Sequence, residues 1–183
     1  MKGKIKKLAL FVMIAAMAIF MAVAAASAWW PFRYAISGQY AVTGFSSCDP
    51  ASPGIMEADY TFRLDGTGSI RGVGRSLPGS PDPPRALRAD FEYTVTKEGR
   101  IEFQYPNPPG GFKVGVVDEF GNFTPFMTLD GAPSHGVISP DGNMITISCG
   151  PPVFLTVLQS FPGGPPVGAK MWCVTTLSGM RIR

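Results

Sequence analysis

The sequence is poor in histidine and cysteine, with one His and three Cys in 183 residues. No metal-ligand spacing is present, so no metal site and no cofactor is expected. The single histidine, His135, follows Ser134 directly. On a strand these two side chains point to opposite faces, which disfavours a Ser-His-Asp triad. Amphipathic helical spacing is almost absent after residue 28, which excludes a helical bundle. Phosphate-binding loops are missing too. The stretch FRLDGTGSIRGVG (62–74) carries Gly66, Gly68 and Gly72, but the third glycine comes one place late for a dinucleotide fingerprint. The residues that follow, VGRSLPGSPDPP, cannot open a helix. There is no Gly-Lys-Ser/Thr, and Asp65-Gly66-Thr67-Gly68 lacks the alternating carboxylates of a calcium loop. Carboxylates pair at Glu57/Asp59 and Asp118/Glu119, the first on a solvent face and the second in a turn. Neither has the buried setting that glycosidase chemistry needs. A non-enzymatic protein is the expectation.

A basic domain surface is also lacking. The chain has 16 Lys+Arg against 13 Asp+Glu, but Lys2, Lys4, Lys6 and Lys7 lie in the first 28 residues. Without them the balance is 12 against 13, a net charge of −1. The basic excess is therefore no footprint for nucleic acid.

The N-terminal segment has a character of its own. A lysine-rich start is followed by an unbroken apolar run from Leu8 to Ala26, then Ala26-Ser27-Ala28. This is the pattern of a secretory signal helix cleaved after Ala28, which places residues 29–183 in the periplasm or outside the cell. The apolar run is long for a signal and approaches the ~20 residues that span a bilayer. An uncleaved inner-membrane anchor over residues 8–28 is the alternative.

Residues 29–183 fit one domain. They hold 39 Pro and Gly, yet also 11 Phe, 5 Tyr and 3 Trp, more aromatics than a disordered chain carries. Period-two alternation dominates. Met56, Ala58, Tyr60, Phe62 and Leu64 share one face, and Glu57, Asp59, Thr61, Arg63 and Asp65 the other. Phe91, Tyr93 and Val95 alternate likewise, then Ile101, Phe103 and Tyr105 after the turn KEGR. Further strands are expected over 34–44, 69–75, 112–117, 123–129, 136–139, 144–149, 153–158 and 170–177. LDGTG, KEGR, EFGN and PDGN supply hairpin turns between runs. Three proline-rich loops interrupt, at 77–87, 105–112 and 160–168.

Such a rhythm predicts an all-β fold, a single antiparallel up-and-down β-barrel of about 8–10 strands. Gly38, Gly72 and Gly74 suit sharp bends in its wall. Ser37-Gly38-Gln39-Tyr40 on the first strand, followed by one hairpin after another, resembles the lipocalin/calycin superfamily, with Gly38-Gln39-Tyr40 standing in for the family's Gly-x-Trp. It also resembles small secreted bacterial barrel proteins. The lipocalin resemblance implies an eight-stranded barrel and binding of a small apolar molecule.

The inward aromatics Tyr34, Tyr40, Tyr60, Phe62, Phe91, Tyr93, Phe103 and Tyr105 are the candidate lining of a pocket, and equally the filling of a closed core. Arg71, Arg75, Arg85 and Arg88 form either an anion-binding patch or a solvated sheet edge. Three cysteines in an oxidising compartment allow three pairings. Cys48 and Cys149, each between a strand and a proline loop, are the favoured pair; Cys173 sits inside an apolar strand. Two functions fit these features. One is binding of a small apolar or amphipathic ligand. The other is a secreted or envelope interaction or inhibitor module that meets a protein partner through its proline loops.

Overall fold

The computed structural model describes residues 36–49, 53–77, 84–105, 111–130, 134–159 and 165–183. The segment 1–28 with its Ala26/Ala28 site, Tyr34, and parts of all three proline loops lie outside them. Ten strands follow in order: β1 (Gly38–Asp49), β2 (Gly54–Phe62), β3 (Thr67–Ser76), β4 (Arg85–Val95), β5 (Arg100–Gln104), β6 (Lys113–Val117), β7 (Phe123–Asp130), β8 (Ser134–Ile138), β9 (Met144–Val157) and β10 (Lys170–Arg181).

All neighbouring strands are antiparallel, and β10 pairs with β1 from Tyr40↔Arg181 to Asp49↔Trp172, closing the sheet. Two strands are split. β5 and β6 both pair with β4, against Glu92–Val95 and Ala86–Arg88 respectively. β7 and β8 both pair with β9, against its two halves. Each pair is one long strand interrupted, at 105–112 and at 131–133. A circuit of the wall therefore crosses eight strands, and their order is up-and-down, as the hairpin rhythm predicts.

Alternation decides which side chains enter. Tyr40, Val42, Ala58, Tyr60, Phe62, Ile70, Leu87, Phe91, Ile101, Phe103, Ile145, Ile147 and Leu177 are buried. Glu57, Asp59, Arg71 and Asp90 point outward, the reverse of a barrel whose outer band faces lipid. The hairpin reading of FRLDGTGSIRGVG holds: Asp65 Oδ1 accepts from the Thr67 amide at 2.9 Å and from Thr67 Oγ1 at 2.7 Å, and Gly66 takes φ +85°. A side chain at that φ would be strained. Leu64, expected on the core face, is instead 61% exposed, because the turn begins before it. The sequence expectation also ended a strand before Pro151-Pro152. Instead β9 runs through, and the ladder to β10 slips between Cys149↔Thr175 and Val153↔Cys173. Prolines cannot donate to a ladder, so they fall where it is already irregular. β4 likewise begins at Arg85, inside the expected 77–87 loop.

The disulfide is Cys48–Cys173, and Cys149 is free. This corrects the expected Cys48–Cys149 pair. Cys48 and Cys173 face each other across the closing seam, with Cα atoms 4.1 Å apart. Cys149 lies on β9, with β10 between it and β1. Two strand spacings amount to roughly 9–10 Å, beyond the reach of a disulfide.

Glycines separate into two kinds. A Cβ on Gly72 would lie 2.4 Å from Ala58 Cβ and from the Glu57 carbonyl oxygen. A Cβ on Gly74 would meet nothing nearer than 3.9 Å. Gly72→Ala is expected to lower stability by about 1–3 kcal/mol, the range for overpacking, while Gly74→Ala stays close to wild type. Urea midpoints of the two variants check this; equal midpoints would contradict the packing described.

Candidate functional site

The barrel has two unlike ends. At one stand the tight turns after β2, β4 and β8, both ends of the described chain, and an aromatic cluster. Phe62 packs on Tyr40, Phe91 and Tyr93 with ring centroids 5.5, 5.4 and 5.1 Å away, and Phe103 lies 5.2 Å from Phe91. Tyr40 Oη donates to the Gly142 carbonyl at 2.7 Å, tying β1 to the β8–β9 turn. Ile36, fully buried just before β1, belongs to the same core. This half is a plug.

The other half holds a cavity of about 130 Å³. Its wall includes Met56, Leu87, Val114, Met127, Leu155, Met171 and Leu177, together with the Cys48–Cys173 disulfide. The connections β3–β4 and β9–β10, which carry two of the proline loops, leave from this end. Arg75 and Arg85 are the charged residues among the described ones at the cavity; the Arg85 side chain faces inward and the Arg75 side chain outward. Arg75 lies 4.0 Å from Glu57, and the Arg85 guanidinium lies 5.8 Å from the Phe126 ring centre.

A polar belt crosses four adjacent strands at the cavity wall. Ser134 is paired in register with Cys149, Cys149 with Thr175, and Thr175 with Ser46. Ser134 Oγ lies 3.2 Å from Cys149 Sγ and 3.4 Å from Tyr105 Oη; Ser46 Oγ lies 3.0 Å from Thr175 Oγ1. Burial pushes the Tyr105 hydroxyl well up and the Cys149 thiol up, and the Ser134 hydrogen bonds only partly offset it. Tyr60 is pushed up by burial as well, then by Tyr105 and Cys149 beside it. These groups stay protonated at neutral pH.

Of the eight aromatics expected to line a pocket, Tyr60 and Tyr105 do line the cavity. Tyr40, Phe62, Phe91, Tyr93 and Phe103 belong to the plug, and Tyr34 lies outside the described residues. Ser46, Ser134 and Thr175 were missed. A signal existed: each is polar at an inward position of a strand whose other inward residues are apolar. The four arginines do not form one patch. Arg71 and Arg75 face outward beside Asp90 and Glu57, Arg88 stacks on Phe123, and Arg85 lines the cavity. Nor do they mark a sheet edge, since β3 is paired on both sides. His135 is exposed on the outer face of β8, opposite Ser134.

Burial raises the Tyr40 hydroxyl to about 12, outweighing the Arg181 guanidinium, which lowers it. Unfolded tyrosine loses its proton near pH 10. Above that pH the unfolded chain binds fewer protons than the folded one, so stability, complete below pH 10, falls as pH rises toward 12. Urea midpoints at pH 9 and pH 11 should show this fall, and Tyr40→Phe should reduce it. An unchanged midpoint would contradict the burial of these hydroxyls.

No protein-family model matches the sequence, and no curated protein is similar to it. Among solved structures, the chain is similar to the S-type phycobiliprotein lyase CPES from Guillardia theta, at 9% identity and a TM-score of 0.40, over 83% of this chain and 91% of that one. That likeness concerns overall shape alone.

Proposed function

We propose that the protein is an exported, non-enzymatic barrel that holds a small apolar or amphipathic ligand in the cavity. The observation that carries this reading is the division of the interior: one end is packed with aromatic rings, while the other keeps an apolar space with hydrogen-bonding groups at its floor. A void costs stability, and a purely structural barrel gains nothing from keeping one. Export is supported by the signal pattern of residues 1–28 and by the Cys48–Cys173 disulfide, a bond that persists in oxidising compartments.

Toluene at ten times its dissociation constant is expected to stabilise the protein by about 1.4 kcal/mol, a Tm rise of about 3–5 °C. Gly74→Leu keeps an open Cβ position but projects its side chain into the cavity. It should fold and lose the toluene response. A wild-type protein indifferent to toluene, or a Gly74→Leu protein that still responds, would refute the reading.

Protein recovered from its own host should begin at Trp29, seen as the intact mass after cell fractionation. A membrane-bound chain that retains residues 1–28 would show an anchor instead.

A further inference from the structure

The cavity floor holds a hydrogen-bonding group whose capacity is unused. Tyr60 lines the cavity and is only 2% exposed. Every fully enclosed side-chain N or O among the described residues has a hydrogen-bond partner. Tyr60 Oη has none among them, so it opens into the cavity. Its neighbours are already engaged, Tyr105 with Ser134 and Ser134 with Cys149. The Tyr60 ring is fixed from below, 6.0 Å from Phe91 and 6.3 Å from Phe103. The hydroxyl is thus held by the plug and presented to whatever occupies the space above.

That space has a definite chemistry. Its volume, about 130 Å³, is of the order that admits one benzene-sized ring. Met56, Met127 and Met171 supply thioether sulfurs to its wall, and thioethers make favourable contacts with aromatic rings. Arg85, the first residue of β4, stands at the mouth, so no described residue supplies a counter-charge at the floor. A buried anion there would go uncompensated, consistent with burial holding Tyr105 and Cys149 in their neutral forms.

We propose that the cavity selects a small neutral monocyclic aromatic alcohol of the phenol class, its ring against the methionines and its hydroxyl bonded to Tyr60 Oη. This rests on the ligand-binding reading above and gives that site a substrate class.

The test uses phenol and toluene, which match in shape and differ as hydroxyl from methyl. Dissociation constants are measured at pH 7 by titration calorimetry for wild type and Tyr60→Phe. The variant removes an oxygen with no partner among the described residues, so the fold is expected to hold, and retained toluene binding certifies the cavity. Loss of one neutral hydrogen bond weakens binding by about 3- to 10-fold. Phenol should weaken by that factor in Tyr60→Phe, with toluene within about twofold of its wild-type value. Unchanged phenol binding, or equal weakening of both, overturns the proposal. Should Tyr60→Phe not fold, wild type decides: toluene bound without phenol overturns it, and phenol bound more tightly than toluene supports it. If wild type binds neither ring, the ligand-binding reading falls and this inference with it.

Discussion

The interior of an eight-stranded barrel is only as wide as the side chains that point into it. In this protein that volume limit governs plug, cavity and glycine placement together. Large inward side chains require small residues on the neighbouring strand. A Cβ on Gly68 would lie 2.2 Å from the Phe91 ring, one on Gly179 2.2 Å from the Val42 side chain, and one on Gly44 2.8 Å from the Leu177 side chain. Each glycine is the space a neighbour fills. Above Tyr60 the pairing ends. Gly74 faces inward with no ring within 4 Å of the place a Cβ would take, and Met, Leu and Val supply much of the wall around it. The cavity is what remains where a small residue on one strand is not met by a large one.

An unfilled end has an energetic consequence. At roughly 24 cal/mol per Å³, a void of this size costs about 3 kcal/mol. Cys48–Cys173 staples the seam at the same end and links residues 125 apart in sequence. In the chain-entropy model a loop of that length stabilises by about 5 kcal/mol. The two magnitudes are alike, so the disulfide can offset the missing packing. The plugged end carries no cysteine and does without such a bond.

Much of this was legible in the residues. Alternation in Met56–Phe62, Phe91–Val95 and Ile101–Tyr105 located strands and their buried faces, and the Asp-Gly turns located hairpins. What alternation cannot show is height along the barrel axis. Two aromatics on different strands look alike in sequence whether they meet in a plug or line a cavity, because height depends on register and on barrel stagger. Hence Phe62 and Phe91 were grouped with Tyr105, although the first two fill one end and the third looks into the other. The disulfide was closer to hand. In an up-and-down barrel the first and last strands must pair, and antiparallel pairing brings the end of β1 beside the start of β10. That places Cys48 opposite Cys173, while Cys149 is one strand too far.

The polar belt depends on an irregularity that strand patterns hide. Where β5 gives way to β6, and β7 to β8, the ladder between Glu102↔His135 and Lys113↔Thr128 is interrupted. Backbone groups beside such a gap lose strand partners and must find others. Thr128 Oγ1 donates to the Phe112 carbonyl at 3.4 Å across it. Tyr105 and Ser134 flank the same gap, and their hydroxyls meet there. The belt thus begins beside this gap, where Tyr105 meets Ser134, and strand register carries it on through Cys149 and Thr175 to Ser46.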